Sequence, residues 1–157
     1  EAVFSSLGGM FDGGTVLDLY AGSGANGLEA LSRGYDYAVF ADISKDAIQV
    51  ICKNIESLRC KEKTKALHMP DKKALSLLKA EGLRFDLVYL DPPYAGQRNN
   101  EILEYLQENN MITDCGVVVI ESAKEDEFKK EFGSLKPYKE ATYGITRITY
   151  YRNEVEG

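Results

Sequence analysis

Val16-Leu17-Asp18-Leu19-Tyr20-Ala21-Gly22-Ser23-Gly24-Ala25-Asn26-Gly27-Leu28-Glu29 is the stretch on which the fold turns. Its first half is apolar and reads as a buried strand. Its second half is a tight glycine turn that opens a helix. Gly22, Gly24 and Gly27 stand at the G-x-G-x-x-G spacing of a nucleotide-binding strand–turn–helix. Glycine at such places permits unusual backbone angles and lets a ligand approach the main chain closely. The spacing alone is a weak signal, and its context strengthens it. A strand precedes the turn, a helix follows it, and Asp42 stands at the end of the next strand-like run. Tyr20 and Ser23 lie in the same turn and are counted with the cofactor site.

The glycine spacing leaves two cofactors open, a dinucleotide and S-adenosylmethionine. Asp18 separates them. It sits on the strand just before the turn, where a dinucleotide binder usually keeps an apolar residue. A carboxylate there repels a pyrophosphate but suits the α-ammonium and sulfonium of S-adenosylmethionine. The competing use of Asp18 is to cap nearby backbone amides; a buried carboxylate with no partner at all is too costly to keep.

The chain has 157 residues, enough for one domain with a real core. It is 44% hydrophobic and 28% charged, an ordinary globular composition. No apolar run is long enough to span a membrane, and no signal peptide is visible. A formal net charge of −6 argues against nucleic-acid binding over the whole surface but leaves room for a local basic face. Cys52, Cys60 and Cys115 are odd in number and lack metal-ligand spacing, as expected of reduced thiols in a cytoplasmic protein. His68 is the only histidine, so neither a histidine-rich metal site nor a Ser-His-Asp triad is supported, and no metal is expected. The sequence opens at Glu1, and Ala2, Val3, Phe4 and Leu7 look like the last turns of an amphipathic helix. An upstream segment is therefore expected to be missing.

Working outward, 15–20 is the first strand and 24–33 the first helix, with Leu28 and Leu31 inward and Gly34 at its end. Tyr37 to Ala41 is the second strand. Ser44 caps a helix over 45–58 with Ile48, Ile51, Ile55 and Leu58 at helical spacing. Residues 64–69 make a third strand. Asp71 caps a helix to Glu81, with Ala74, Leu75 and Leu78 inward. Phe85 to Leu90 is the fourth strand, and 99–109 a helix packed through Ile102, Leu103 and Leu106. Gly116 to Ile120 is a β-branched run, typical of a strand covered on both faces. Residues 124–132 read as a charged helix with Phe128 and Phe132 on one face, broken by Lys136-Pro137. Strands 138–143 and 145–151 close the chain as a hairpin at Gly144. The alternation predicts a parallel α/β sheet with helices on both faces and an antiparallel strand at one end. The Gly22–Gly27 turn, Asp42 and Asp91 all fall at strand carboxyl ends, where such sheets bind ligands, so one shared pocket is expected.

Asp91-Pro92-Pro93-Tyr94 follows directly on the fourth strand. Two successive prolines fix the backbone and remove two amide donors, which leaves a stiff loop presenting carbonyl acceptors. An acidic side chain, a rigid carbonyl and an aromatic ring in succession suit a planar group bearing an exocyclic amine. The amine donates to the Asp91 carboxylate and the Pro92 carbonyl, which aligns its lone pair for attack on a sulfonium methyl. Tyr94 stacks on the base once it is flipped out or already single-stranded.

V-L-D-L-Y-A-G-S-G, L-E-A-L-S-R-G, D-P-P-Y and the closing Tyr143 to Ile148 run together resemble the bacterial 16S ribosomal RNA guanine-N2 methyltransferases of the RsmD type. The resemblance spans nearly the whole chain, although D-P-P-Y is shared with DNA adenine-N6 and cytosine-N4 methyltransferases. It implies a Rossmann-like class I S-adenosylmethionine-dependent fold of seven strands, mostly parallel with the last reversed. It implies that Asp18, Gly22, Gly24 and Gly27 hold the methionine part, that Asp42 binds the ribose hydroxyls and that Ile43 packs on adenine. Asp91 to Tyr94 then hold the guanine amine, in 16S RNA or a small-subunit assembly particle, and a monomer is expected by analogy. The family places a small acidic or amide residue just after the third strand, near the adenine amine. Here the sequence is His68-Met69-Pro70-Asp71, so Met69 offers an apolar face and Asp71 stands displaced by about a residue. Arg98, just past D-P-P-Y, is the best single candidate for a substrate phosphate. The competing readings are a DNA N6-adenine methyltransferase, disfavoured by the lack of a target-recognition domain; a nicotinamide-dependent oxidoreductase, disfavoured by Asp18; and a non-catalytic cofactor-binding module.

Overall fold

Residues 2–92, 99–126 and 131–155 are described by a computed structural model, in which the chain forms two compact units, residues 1–75 and 76–157. The first unit runs α1 (Ala2–Leu7), β1 (Thr15–Leu19), α2 (Ala25–Ser32), β2 (Tyr37–Asp42), α3 (Lys45–Ser57) and β3 (Thr64–His68), then enters α4 (Asp71–Ala80). Its strands lie parallel in the order β3-β2-β1, with Leu17 beside Val39 and Phe40 beside Ala66. Val16, Leu17 and Leu19 on β1 and Ala38, Val39 and Phe40 on β2 are almost fully buried. Those runs are apolar on consecutive positions because both faces of the strands are covered.

The helices of this unit bury different residues from those that periodicity favours. In α2 the buried positions are Gly27 and Ala30, while Leu28 and Leu31 are only half-buried. The cause is close approach: a Cβ on Gly27 would lie 2.3 Å from Phe40 Cε1, so only the smallest side chain fits where helix meets strand. In α3 the hydroxyl of Ser44 accepts from the Ala47 amide at 3.2 Å, the expected cap. Ile51 and Ile55 are buried there, but Leu58 is 62% exposed because the helix ends at Ser57 and carries it past the last inward turn.

The second unit contains the remainder of α4, then β4 (Phe85–Leu90), α5 (Asn99–Glu108), β5 (Ile112–Ala123), β6 (Leu135–Tyr143) and β7 (Thr146–Asn153). Its strand order is β4-β5-β7-β6. β4 and β5 are parallel; β7 runs antiparallel to both of its neighbours. The molecule thus has the seven-stranded, mostly parallel sheet with its last strand reversed. Ile102, Leu103 and Leu106 of α5 are buried, as are Val118, Val119 and Ile120 of β5.

Three expectations for this unit need correction. β5 begins at Ile112 rather than Gly116, because the pairing with β4 shifts register between Phe85 and Leu87 and absorbs the irregular Cys115, whose φ is +65°. The helix expected over 124–132 is not formed by its described residues: Lys124 and Glu125 make a turn, and Phe132 makes an isolated bridge with Leu135. Phe128 lies outside the described residues. Lys136-Pro137 does not break a helix but belongs to β6, an edge strand, where a proline costs no ladder bond on its open side.

Candidate functional site

β1 delivers the chain into its glycine turn through Tyr20, which takes a left-handed φ of +65° that few non-glycine residues adopt. The turn closes with Gly24 N–H donating to Ala21 O at 2.8 Å, and α2 follows. Gly24 occupies the N-cap position and has no side chain to cap with. Asp18 supplies the missing acceptor from the strand: its Oδ2 takes the Gly27 amide, the third of the helix, at 2.9 Å. Asp18 is 1% exposed, and its charge sits at the positive end of the helix dipole. Its observed work is therefore to cap α2.

Asp42 at the end of β2 plays the corresponding part for the turn. One carboxylate oxygen accepts from Gly22 N–H at 2.9 Å and the other from Ser44 N–H at 2.8 Å. Asp42 O takes the Met69 amide at 3.1 Å, which ties the end of β3 to the same point. Tyr20 Oη donates to Asp71 Oδ2 at 2.6 Å, while Asp71 Oδ1 takes the Lys72 amide at 2.7 Å. Ser23 O accepts from Asn54 Nδ2 at 3.1 Å. Within the first unit, Tyr20, Gly22, Asp42, Met69 and Asp71 are thus joined through the carboxyl ends of β1, β2 and β3.

This arrangement fits an adenosine. Ile43, directly after Asp42, is 70% exposed, an apolar surface without cover that a flat purine would bury. The Asp42 carboxylate stands beside it as the acceptor that ribose hydroxyls need. Gly22 has φ +59° and nothing within 4 Å of where a Cβ would project, so the backbone of the turn is open to a ligand. Asp42 and Asp71 each have protein donors on both oxygens, but Asp71 is buried whereas Asp42 is partly exposed.

In the second unit, β4 is followed by Asp91, which is exposed, and Pro92, which is buried. Pro93, Tyr94 and Arg98 lie outside the described residues. Sequence reasoning missed the neighbours of Asp91. β4 and β5 run in parallel register with Leu90 beside Ile120, so the next pair is Asp91 and Glu121. Glu121 hydrogen-bonds to Asp91 and to Tyr89. Burial, together with the adjoining Asp91 carboxylate, pushes the Glu121 carboxyl up from 4.5 to about 7, against the opposite pull of the Tyr89 hydroxyl. The available signal was the two-residue strand period, which puts Tyr89 and Asp91 on one face, and a lone acid ending an apolar strand.

Comparison with known proteins bears on the whole chain. The model of a family described as conserved hypothetical protein 95 matches residues 1–152. The chain is 34% identical over 152 residues to YlbH of Bacillus subtilis, covering 97% of this chain and 83% of that one. It is 30% identical over 156 residues to the ribosomal RNA small subunit methyltransferase D of Haemophilus influenzae, covering 98% and 79%. A solved conserved hypothetical protein from Streptococcus pyogenes superposes with a TM-score of 0.91 at 38% identity, covering 98% and 94%.

Proposed function

Since the chain belongs to the conserved hypothetical protein 95 family, that of the RsmD-type methyltransferases, we propose that it methylates the exocyclic N2 amine of a guanine in 16S ribosomal RNA. The observation that carries this reading is the placement of Asp91-Pro92 at the carboxyl end of β4 in a chain whose Gly22–Asp42 contact prepares an adenosine site. S-adenosyl-L-methionine is the cofactor, and when bound it supplies an electrophilic methyl group on a sulfonium. Gly22, Gly24 and the turn between them hold its methionine part, Asp42 its ribose and Ile43 its adenine, with Ser23 and Met69 beside them. Asp18 and Gly27 shape the turn from behind. Asp91 accepts a hydrogen bond from the target amine, and the Pro92 carbonyl accepts a second. Those two bonds orient the nitrogen lone pair, and orientation supplies most of the rate because the leaving group is already good. Pro93 keeps the loop stiff and Tyr94 stacks on the base. The substrate is 16S RNA or a small-subunit assembly particle, met by a cytoplasmic monomer. No helix among the described residues is long and apolar enough to cross a membrane. The family match runs through both compact units, which supports reading them as one methyltransferase domain.

Calorimetric titration with S-adenosylmethionine, S-adenosylhomocysteine and NAD tests the cofactor, with D42A as control. Micromolar binding of the first two, lost in D42A and absent for NAD, is expected. Transfer of labelled methyl to small-subunit particles and not to duplex DNA tests the substrate. Labelling of DNA adenine instead would replace guanine by the DNA reading.

A further inference from the structure

The Asp91 of the amine-binding loop does not stand alone, and its neighbour is not part of the D-P-P-Y motif. Glu121 comes from the far end of β5, thirty positions on in sequence, and reaches Asp91 only because β4 and β5 share a parallel register. Two carboxyl groups cannot hydrogen-bond to each other unless one carries a proton. Tyr89 has a hydroxyl donor that meets Glu121 from the same face of β4, so one Glu121 oxygen already receives a hydrogen bond. The other is left to give one. The direction of the chain is therefore set: Tyr89 Oη donates to Glu121, and Glu121 in its acid form donates to Asp91. Asp91 keeps its remaining lone pairs for an incoming donor. A lone aspartate at the mouth of a strand rotates freely about two side-chain bonds; one gripped by a half-buried neighbour does not.

We infer that Glu121 is a positioning residue, which, held by Tyr89, hydrogen-bonds Asp91 and fixes its carboxylate in the orientation that receives the target amine. This rests on the reading of Asp91 as the amine acceptor. It adds to the motif two residues that lie outside it, Tyr89 and Glu121. The glutamate acts through Asp91 and is not required to touch the substrate. Its acid form is the working one, so glutamine, which donates through its amide and still accepts from Tyr89, is its mimic. Methionine matches the length and offers no hydrogen bond.

The test compares E121Q and E121M in the intact protein, with thermal unfolding and cofactor titration confirming that each is folded. Steady-state methylation of small-subunit particles is then measured. E121M is expected to lose about ten-fold in kcat with little change in cofactor affinity, the scale of one lost hydrogen bond at the reacting group. E121Q is expected to recover most of that loss. E121M at wild-type kcat, or E121Q as slow as E121M, would overturn the inference. A second measurement needs no substrate. In protein labelled at the glutamate carboxyl carbons, Glu121 titrates by NMR near neutrality and moves down toward the ordinary carboxylate range in D91N. A titration that D91N leaves in place overturns the pairing, whatever the substrate proves to be. Wild-type protein that shows this coupling but methylates no ribosomal particle overturns the guanine reading and keeps the Glu121–Asp91 contact.

Discussion

Asp18 and Glu121 are both acidic side chains on strands, and the structure puts them to different uses. Asp18 caps a helix whose own N-cap residue, Gly24, has no side chain. Replacing Asp18 by asparagine keeps an oxygen for the Gly27 amide and removes only the charge. D18N is therefore expected to hold its stability to about 1 kcal/mol, whereas D18A strands a buried amide and costs about 1–3 kcal/mol. Denaturant unfolding separates the two. If the carboxylate also attracts the cationic methionine part, D18N binds S-adenosylmethionine more weakly despite its intact fold; unchanged affinity would confine Asp18 to capping. Glu121 gives a pH dependence of definite sign. Its folded value of about 7 lies above its ordinary 4.5, so the native state binds more protons than the unfolded state between those limits. Its contribution to stability is complete below about pH 4.5 and is lost as pH rises through 7. Solvent screening at a half-exposed group keeps the amount to about 1 kcal/mol. The difference in unfolding free energy between wild type and E121Q should shift by that amount from pH 4.5 to 8; parallel curves would show that Glu121 titrates normally.

At the scale of elements, the first strand–turn–helix was legible because two independent patterns agree there, an apolar run and a glycine spacing. The α3 helix was legible from Ser44 and the spacing of Ile51 and Ile55. What periodicity could not show is which face of α2 packs. The leucines at 28 and 31 carry the larger hydrophobic signal, but the helix meets β2 so closely that only Gly27 and Ala30 fit against it. Helical spacing also misleads at 124–132, where the proline expected to end a helix sits instead in the edge strand β6. Glu121 was invisible for a different reason: its partner lies thirty residues away, and only the register between strands makes them neighbours. The places of the glycine turn and of Asp91 just after their strands could be read from sequence, while the contacts that hold Asp18, Tyr20 and Asp71 could not. The tight meeting of α2 and β2 yields a prediction of its own. G27A places a methyl 2.3 Å from Phe40 Cε1 and 2.8 Å from Cζ. It is expected to destabilise by about 1–3 kcal/mol, the range for an overpacked core. Combined with F40L, which removes ring atoms from that space, the two costs should be less than additive. Strict additivity in denaturant unfolding would mean that the glycine is there for another reason.

At the scale of the whole molecule, a chain of net charge −6 is proposed to act on a polyanion. Its overall field opposes association, so affinity must come from a few local cations, each releasing counterions from the RNA. Two cations of the closing hairpin, Lys139 and Arg152, are poor candidates, because aromatic rings already engage them. Arg152 lies 4.1 Å over the Tyr138 ring, and Lys139 lies 5.6 Å over that of Tyr150. Both pack along their stems as much as they present charge. Arg98 is different in kind: it stands four positions beyond Tyr94 in the sequence, in the stretch that follows the D-P-P-Y motif. The contrast is measurable as a slope. Binding of the intact protein to 16S RNA, followed across salt concentrations, loses about 0.7 from the slope of log K against log salt for each single-stranded phosphate contact removed. R98A is expected to flatten the slope by that amount and to leave S-adenosylmethionine affinity as it was. K139A and R152A are expected to leave the slope unchanged and to lower the unfolding midpoint through lost packing on Tyr150 and Tyr138. The reverse pattern, a flatter slope for the hairpin variants and none for R98A, would move the RNA from the mouth of β4 to the β6–β7 edge of the sheet.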